Sequence, residues 1–336
     1  MAEPRIVILG AGSIGVAFAA VFADCGAQVV IADPDPNRRA DVARGLEVQR
    51  KAIASAGLLR GAAGGVTVVD QADTAVAQAD LVLEAGPEDL TTKQQIFARL
   101  LDLSGPQTVL ATASSAITIS RILPDPAQQA RALVAHPVNP PSVLRLIELA
   151  PAPGTLAQTV TRAANLFART GFTAVTLGHE IDGFILNRLQ GAVLREAYRL
   201  VAEGVADAEG IDTVMRLGLG PRWALSGPFE TAELNTPGGI RAHAARMGPA
   251  YRAMGEARGE VDCTWSDTLV GDVDHQRRRV IALDDLPDRA RWRAGAVARL
   301  VALRDELTQK TGQTGSEHNL ASPTSAAPAD RSTTIP

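Results

Sequence analysis

Over the first 180 residues, short apolar runs rich in Val and Ile alternate with longer stretches in which apolar residues recur every three to four positions. The short runs predict strands at RIVILG (5–10), AQVVIAD (27–33), VTVVD (66–70), DLVLEAG (80–86), TVLATAS (108–114), RALVAH (131–136), VLRLIELA (143–150) and TAVTLG (173–178). The longer stretches predict helices near 13–25, 36–58, 91–103, 117–123 and 155–170. Strand and helix in alternation imply a parallel sheet with crossover helices. The segment between 136 and 143 is too short for a helical crossover, so an antiparallel edge is expected after RALVAH.

Beyond residue 182 the pattern becomes helical, with little strand signal. Helices are expected over FILNRLQGAVLREAYRLVAEG, AEGIDTVMRLGLG, PFETAELNTPGGIRAHAARMG and PDRARWRAGAVARLVALRDELTQK. From Thr311 the chain loses its periodicity in favour of Ser, Thr, Ala and Pro and is expected to be disordered. The expected organisation is therefore an α/β domain over 1–182, an all-α domain over 183–310 and a tail over 311–336.

Composition narrows the function classes. A length of 336 residues accommodates two domains, each with its own core. The net charge of −4 offers no basic footprint for nucleic acid. The two cysteines, Cys25 and Cys263, lack metal-ligand spacing, so no metal site and no disulfide framework are expected, and a reducing cytoplasm fits. Residues 6–23 resemble a signal-peptide core, but three glycines in six positions after a strand argue against that reading. No other stretch is long and apolar enough for a bilayer.

Gly10-Ala11-Gly12-Ser13-Ile14-Gly15 follows the first strand and opens a helix, and Asp33 ends the second strand. In that context G-x-G-x-x-G reads as a dinucleotide fingerprint. Gly10 makes the tight turn, Gly12 admits the pyrophosphate and Gly15 packs helix on strand. The free N–H groups of the helix N-terminus, around Ser13 and Ile14, suit phosphate. Asp33 suits ribose hydroxyls and repels a 2′-phosphate, which selects NAD over NADP. Arg38 and Arg39, the counter-signal, are expected to begin an exposed helix face.

The stretch RALVAHPVNPPSVLRLIELA (131–150) raises a second candidate. His136 ends a strand on the side where open α/β sheets bind ligands, and Glu148 lies on a strand that can return beside it. A carboxylate on one imidazole nitrogen fixes the tautomer and supports the charge of an acid–base His. A structural, satisfied His–Glu hydrogen bond is the alternative.

The chain resembles the 3-hydroxyacyl-CoA dehydrogenase superfamily over residues 4–310, most nearly its lambda-crystallin type, whose enzymatic members are L-gulonate 3-dehydrogenases. The likeness is carried by GAGSIG (10–15), LVLEAGPEDLTTKQQIFARL (81–100), TASSAITIS (112–120), AHPVNPP (135–141), GFILNRL (183–189), GPRWALSGPFETAELNTPGG (220–239) and RWRAGAVARL (291–300). It implies a Rossmann-type domain followed by an all-α domain of the 6-phosphogluconate dehydrogenase C-terminal type, with NAD as cofactor and a homodimer. It implies a His136–Glu148 catalytic dyad, and it places Glu84 and Glu88 along the nicotinamide side of the cleft. Lys93 matches a cofactor-contacting lysine, with an exposed helix position as the alternative. Asn139 matches a residue touching the nicotinamide ribose or ring, with turn capping as the alternative. Ser114 and Asn187 match substrate-oxygen ligands; Ala113 breaks the usual motif, leaving Ser114 and Ser115 open, and Asn187 has a helix-surface alternative.

The resemblance implies oxidation of a 3-hydroxyl with NAD. A small hydroxy acid of the L-gulonate kind ranks first, L-carnitine second and a 3-hydroxyacyl-CoA third, since no basic cluster for CoA phosphates is evident. Arg222 is the candidate carboxylate anchor, because a guanidinium pairs bidentately with carboxylate; a capping or interdomain ion pair is the alternative. Trp223 beside it either walls a pocket or packs in a core. A crystallin-like structural NAD-binding protein is the non-enzyme reading, and the presence of all the dyad residues favours the enzyme.

Overall fold

The computed structural model describes residues 3–62, 64–261 and 264–310. Cys263 and the expected tail lie outside the described residues. The chain forms two compact units, one ending at Glu196 and one beginning at Ala197.

The first unit is built on eight strands: β1 (Arg5–Leu9), β2 (Gln28–Ala32), β3 (Gly65–Val69), β4 (Leu81–Glu84), β5 (Val109–Thr112), β6 (Ala132–Pro137), β7 (Leu146–Pro151) and β8 (Thr173–Thr176). Between them lie α1 (Ser13–Asp24), α2 (Pro36–Ser55), α3 (Asp73–Val76), α4 (Leu90–Leu103), α5 (Ile119–Ile122) and α6 (Ala157–Arg169). The sheet order is β3-β2-β1-β4-β5-β6-β7-β8. Strands β1 to β6 are mutually parallel, β7 runs antiparallel to β6, and β8 is parallel to β7 through the α6 crossover. The expected antiparallel edge is thus two strands wide.

Near-continuous apolar strands are what a sheet covered on both faces demands. Ile6 and Ile8 join one core with α1, α2 and α6, whereas Val7 joins the other with α3, α4 and α5. In the first core Phe18, Phe22, Phe167 and Phe172 form a ring cluster with centroids 5.4–6.4 Å apart. Residues 6–23 fold into β1, the glycine turn and the buried helix α1.

Helix α7 (Leu186–Ala202) runs across the unit boundary. The second unit contains α8 (Ala208–Val214), α9 (Gly220–Trp223), α10 (Pro228–Leu234), α11 (Gly239–Ala257), α12 (Asp267–Arg278) and α13 (Leu286–Lys310). The single helix expected over 228–248 is two, because Pro237 and Gly238 interrupt it, Gly238 with φ of 92°. Glu233 on α10 is buried and pairs with Arg277 at 3.0 Å and with Arg278, both on α12. Glu230, also on α10, takes Arg289 of α13 at 2.7 Å, so charge ties α10 to both neighbours. Among the described residues no helix is long and apolar enough to cross a membrane.

Candidate active site and cofactor cleft

After β1 the chain builds outward to β2 and β3, then returns to β4 on the other side. That reversal opens a crevice at the carboxyl ends of β1 and β4, where doubly wound sheets bind ligands. A cavity of about 560 Å³ lies there, lined by Gly10, Asp33, Arg38, Asp70, Gly86 and Pro87 among others.

The glycine turn fits a dinucleotide. Gly10 has φ of 113°, and a Cβ on it would meet the Ala85 carbonyl oxygen at 2.6 Å. A Cβ on Gly15 would overlap the Gly10 carbonyl oxygen, so this glycine is needed for packing. A Cβ on Gly12 would meet nothing within 4 Å. Gly12 is therefore dispensable for the fold and leaves open space at the N-terminus of α1, where no side chain caps the N–H groups of the first turn. An uncapped helix N-terminus beside open space is a phosphate seat.

Asp33 is buried, and its carboxylate accepts from the Ala11 N–H at 2.8 Å and the Asp35 N–H at 2.9 Å. These bonds hold it on the cavity wall with acceptor capacity to spare. Arg38 and Arg39 do more than begin an exposed face: Arg38 comes within 3.8 Å of Asp33, and Arg39 donates to the Asp33 and Pro34 carbonyls.

The β6–β7 register sets His136 directly opposite Glu148. Both are buried, with His136 Nδ1 and Glu148 Oε2 2.8 Å apart. The other oxygen of Glu148 accepts from the backbone N–H groups of Ile185 at 2.9 Å and Leu186 at 3.0 Å. Glu148 thus satisfies donors at the start of α7, where negative charge is favoured. A carboxylate surrounded by donors is an acceptor only, so His136 Nδ1 carries a proton and donates it to Glu148. Phe184 packs its ring 5.2 Å from that of His136 and holds a φ of 49°. A buried aromatic residue in the left-handed region is a strained position, of the sort that clusters at functional sites.

A second polar network joins β4, α4 and β5. Glu84 and Lys93 are both fully buried, with Lys93 Nζ 2.8 and 3.0 Å from the two Glu84 oxygens. Thr112 Oγ1 donates to Glu84 at 2.6 Å, as the β4–β5 register dictates, and the Gly86 N–H donates at 2.7 Å. Lys93 Nζ also stands 3.5 Å from Glu88. Lys93 is therefore buried rather than on an exposed helix face. Burial of an unpaired charge is too costly, so each side chain turns to the other.

Glu88 is exposed, and one of its oxygens accepts from the Ser114 hydroxyl at 2.5 Å and from the Ser115 and Ala116 N–H groups. Burial raises the pKa of its carboxyl. The bonds from Ser114 and Ala116 and the Lys93 charge outweigh that and hold it below the usual carboxylate range. The Ser114 hydroxyl also accepts from the Ile117 N–H at 2.7 Å. Ser114 is buried and turned to Glu88, whereas Ser115 is exposed and its carbonyl accepts from Asn187 Nδ2 at 3.2 Å. Asn187 sits one residue beyond the N–H that binds Glu148, so Asn187, Ser115 and the His136–Glu148 pair gather at the start of α7. Asn139 is exposed in the turn between β6 and β7. Arg222 lies in the second unit, on α9.

Sequence reasoning missed three contributors: Thr112, Phe184 and the backbone N–H groups of Ile185 and Leu186. Only Gly183-Phe184 left a signal, a glycine at the mouth of a helix; the others depend on register.

Residues 5–181 match the NAD-binding domain of 3-hydroxyacyl-CoA dehydrogenase, and residues 183–277 match its C-terminal domain. The chain belongs to the 3-hydroxyacyl-CoA dehydrogenase family, and within it to the lambda-crystallin type. It is 36% identical to the lambda-crystallin homolog of Bos taurus over 313 residues, covering 90% of this chain and 97% of that one. An L-carnitine dehydrogenase of Streptomyces coelicolor is 33% identical over 323 residues, covering 94% and 97%. Among solved structures, the NAD+-dependent 5-formyl-3-hydroxy-2-methylpyridine 4-carboxylic acid 5-dehydrogenase superposes with a TM-score of 0.67. It is 26% identical, covering 84% of this chain and 98% of that one. The cofactor is NAD, and members of the family are dehydrogenases acting on 3-hydroxy groups.

Proposed function

We propose that the chain oxidises the 3-hydroxyl of a small hydroxy acid, with His136 as general base. The observation that carries this reading is the buried His136–Glu148 contact of 2.8 Å, with the second Glu148 oxygen held by two backbone N–H groups. Bound NAD supplies the acceptor for the hydride leaving the substrate carbon. The chain's residues do the rest. His136 Nε2 takes the hydroxyl proton, and Glu148 holds the imidazole in the required tautomer and supports the positive charge as it forms. Asn187 and Ser114 hold the substrate oxygen, for which Ser114 must release Glu88. Gly12 and the N-terminus of α1 seat the pyrophosphate, with Asp33 on the adenosine ribose and Asn139 toward the nicotinamide end. Glu84, Glu88 and Lys93 lie toward the nicotinamide side of the cofactor, with Glu84 and Lys93 held to each other at 2.8 Å.

The preferred substrate is a hydroxy acid of the L-gulonate kind, anchored by Arg222. L-carnitine is the second reading, favoured by the extended similarity to an L-carnitine dehydrogenase. The proposed assembly is a homodimer, for which Leu189, Leu194, Tyr198 and Val201 of α7 leave apolar surface exposed. The proposed setting is a reducing cytoplasm, in keeping with a free Cys25. The proposed domain division falls near residue 182, where the two family matches meet.

The test is NADH formation from L-gulonate, L-carnitine, 3-hydroxybutyrate and 3-hydroxybutyryl-CoA by purified protein. Turnover of a free acid that disappears in His136→Ala, with NADH affinity retained, is the expected outcome. Silence across the panel despite tight NADH binding would sink the dehydrogenase reading in favour of a structural role.

A further inference from the structure

Within the helical unit, α9, α10, α11 and α12 enclose a cavity of about 530 Å³, within the size range of small-molecule sites. Its wall is mostly apolar and unusually aromatic for a chain in which aromatics are only 4% of residues: Trp223, Phe229, Tyr251 and Trp265 all face it. The Tyr251 and Trp265 rings pack together with centroids 5.6 Å apart. Among the described residues no Asp or Glu lines the cavity, and the one fully charged side chain on its wall is Arg222.

Arg222 is half-buried, and among the described residues its guanidinium has no hydrogen bond and no ion pair. That contrasts with Arg277 and Arg278 of α12 and Arg289 of α13, each of which meets a carboxylate. Behind Arg222 stands a second guanidinium, Arg293, already committed to Asn235 Oδ1 at 2.8 Å. Burial and the Arg222 charge hold the Arg293 pKa below its usual range. An unpaired guanidinium on the wall of an apolar cavity is complementary to a single anion. A neutral donor stands on the same wall. Arg246 donates to Thr236 Oγ1 at 3.0 Å, so the hydroxyl proton is free to point at His243 Nδ1, 3.1 Å away, leaving the imidazole proton on Nε2. Burial and Arg246 push the His243 pKa down, which keeps that ring neutral.

We propose that the helical unit binds a monocarboxylate with an apolar, planar body in this cavity, the carboxylate pairing with Arg222 and the body lying against Trp223 and Trp265. The inference rests on the proposed function only in taking Arg222 as a carboxylate anchor. It concerns binding, which does not require turnover.

The experiment is a titration of tryptophan emission in the full-length protein at saturating NAD, using benzoate and hexanoate against benzyl alcohol and 1-hexanol. Two of the three tryptophans line the cavity, whereas Trp292 stacks under Arg289 at 3.9 Å. The acids are expected to give a saturable change with dissociation constants at least about tenfold below those of the matching alcohols. Arg222→Gln should erase that ratio, and Trp223→Phe should reduce the amplitude. Equal affinity for acid and alcohol in the unmodified protein overturns the proposal whatever the variants do. So does an unchanged ratio in Arg222→Gln. A response governed by protein concentration and insensitive to acid would mean that a second copy of the chain fills the cavity, which also overturns it. Acid binding without turnover of any hydroxy acid leaves this inference standing and removes the dehydrogenase reading; turnover without acid binding does the reverse.

Discussion

Replacing Glu148 by Gln keeps the size of the side chain and changes only what it can donate and accept. Glu148 accepts three N–H bonds, from His136 Nδ1 at 2.8 Å and from Ile185 and Leu186 at 2.9 and 3.0 Å. In the variant, the amide oxygen can keep the two backbone bonds at the start of α7. The NH2 group then faces His136, where it can be satisfied only by an unprotonated Nδ1. The imidazole proton must move to Nε2, the nitrogen proposed to take the substrate proton. A wrong tautomer in a comparable triad lowers kcat by about 10⁴. The two backbone bonds change from charge-assisted to neutral, a loss of about 1 kcal/mol each, partly offset by removing a buried charge. Stability should therefore fall by no more than about 2 kcal/mol. The assay is steady-state NADH formation with the acid that turns over, beside a denaturant midpoint and an NADH dissociation constant. A folded variant with kcat within about tenfold of the unmodified enzyme would refute the tautomer argument.

The glycine turn separates cofactor from fold: Gly12→Ala should leave the thermal midpoint unchanged and weaken NAD binding at least about tenfold, because its Cβ enters only open space. Gly15→Ala should lower the midpoint itself, since its Cβ strikes the Gly10 carbonyl, and an unaltered midpoint there contradicts the packing role. Lys93→Met leaves Glu84 buried without its partner and should cost about 3–5 kcal/mol in a denaturant titration. Adding Glu84→Gln should recover much of that loss, and no recovery would show that the two do not act as a pair. Glu88 titrates below its ordinary range in the folded protein. It therefore stabilises fully above the unfolded carboxylate value and loses that contribution as pH falls through the lowered folded one. The gap in thermal midpoint between the unmodified protein and Glu88→Gln should be widest at neutral pH and close in acid; a pH-independent gap argues against a charged Glu88–Ser114 bond.

Local pattern determined the strand–helix alternation, the glycine turn and the pairing of β6 with β7. All of these follow from the period of apolar residues and from a connection too short for a crossover. The hairpin made His136 and Glu148 legible as a candidate pair, and the resemblance to the family, not the pattern, assigned them as a dyad. Asp33 was placed by its position at a strand end.

Tertiary structure decided what depends on contacts between distant segments. The sequence shows Lys93 as one cation on a helix; only the register of β4 and β5 with α4 packed beside them turns it inward onto Glu84 and Thr112. The backbone donors that hold Glu148 lie 37 and 38 residues downstream and have no side-chain signature. The two serines of TASSA look alike in the sequence. The chain's bend after β5 buries Ser114 against Glu88 and exposes Ser115. Periodicity reports which face a residue occupies. It carries no information about which remote donor or charge will meet that residue there, and in this protein those meetings shape the site.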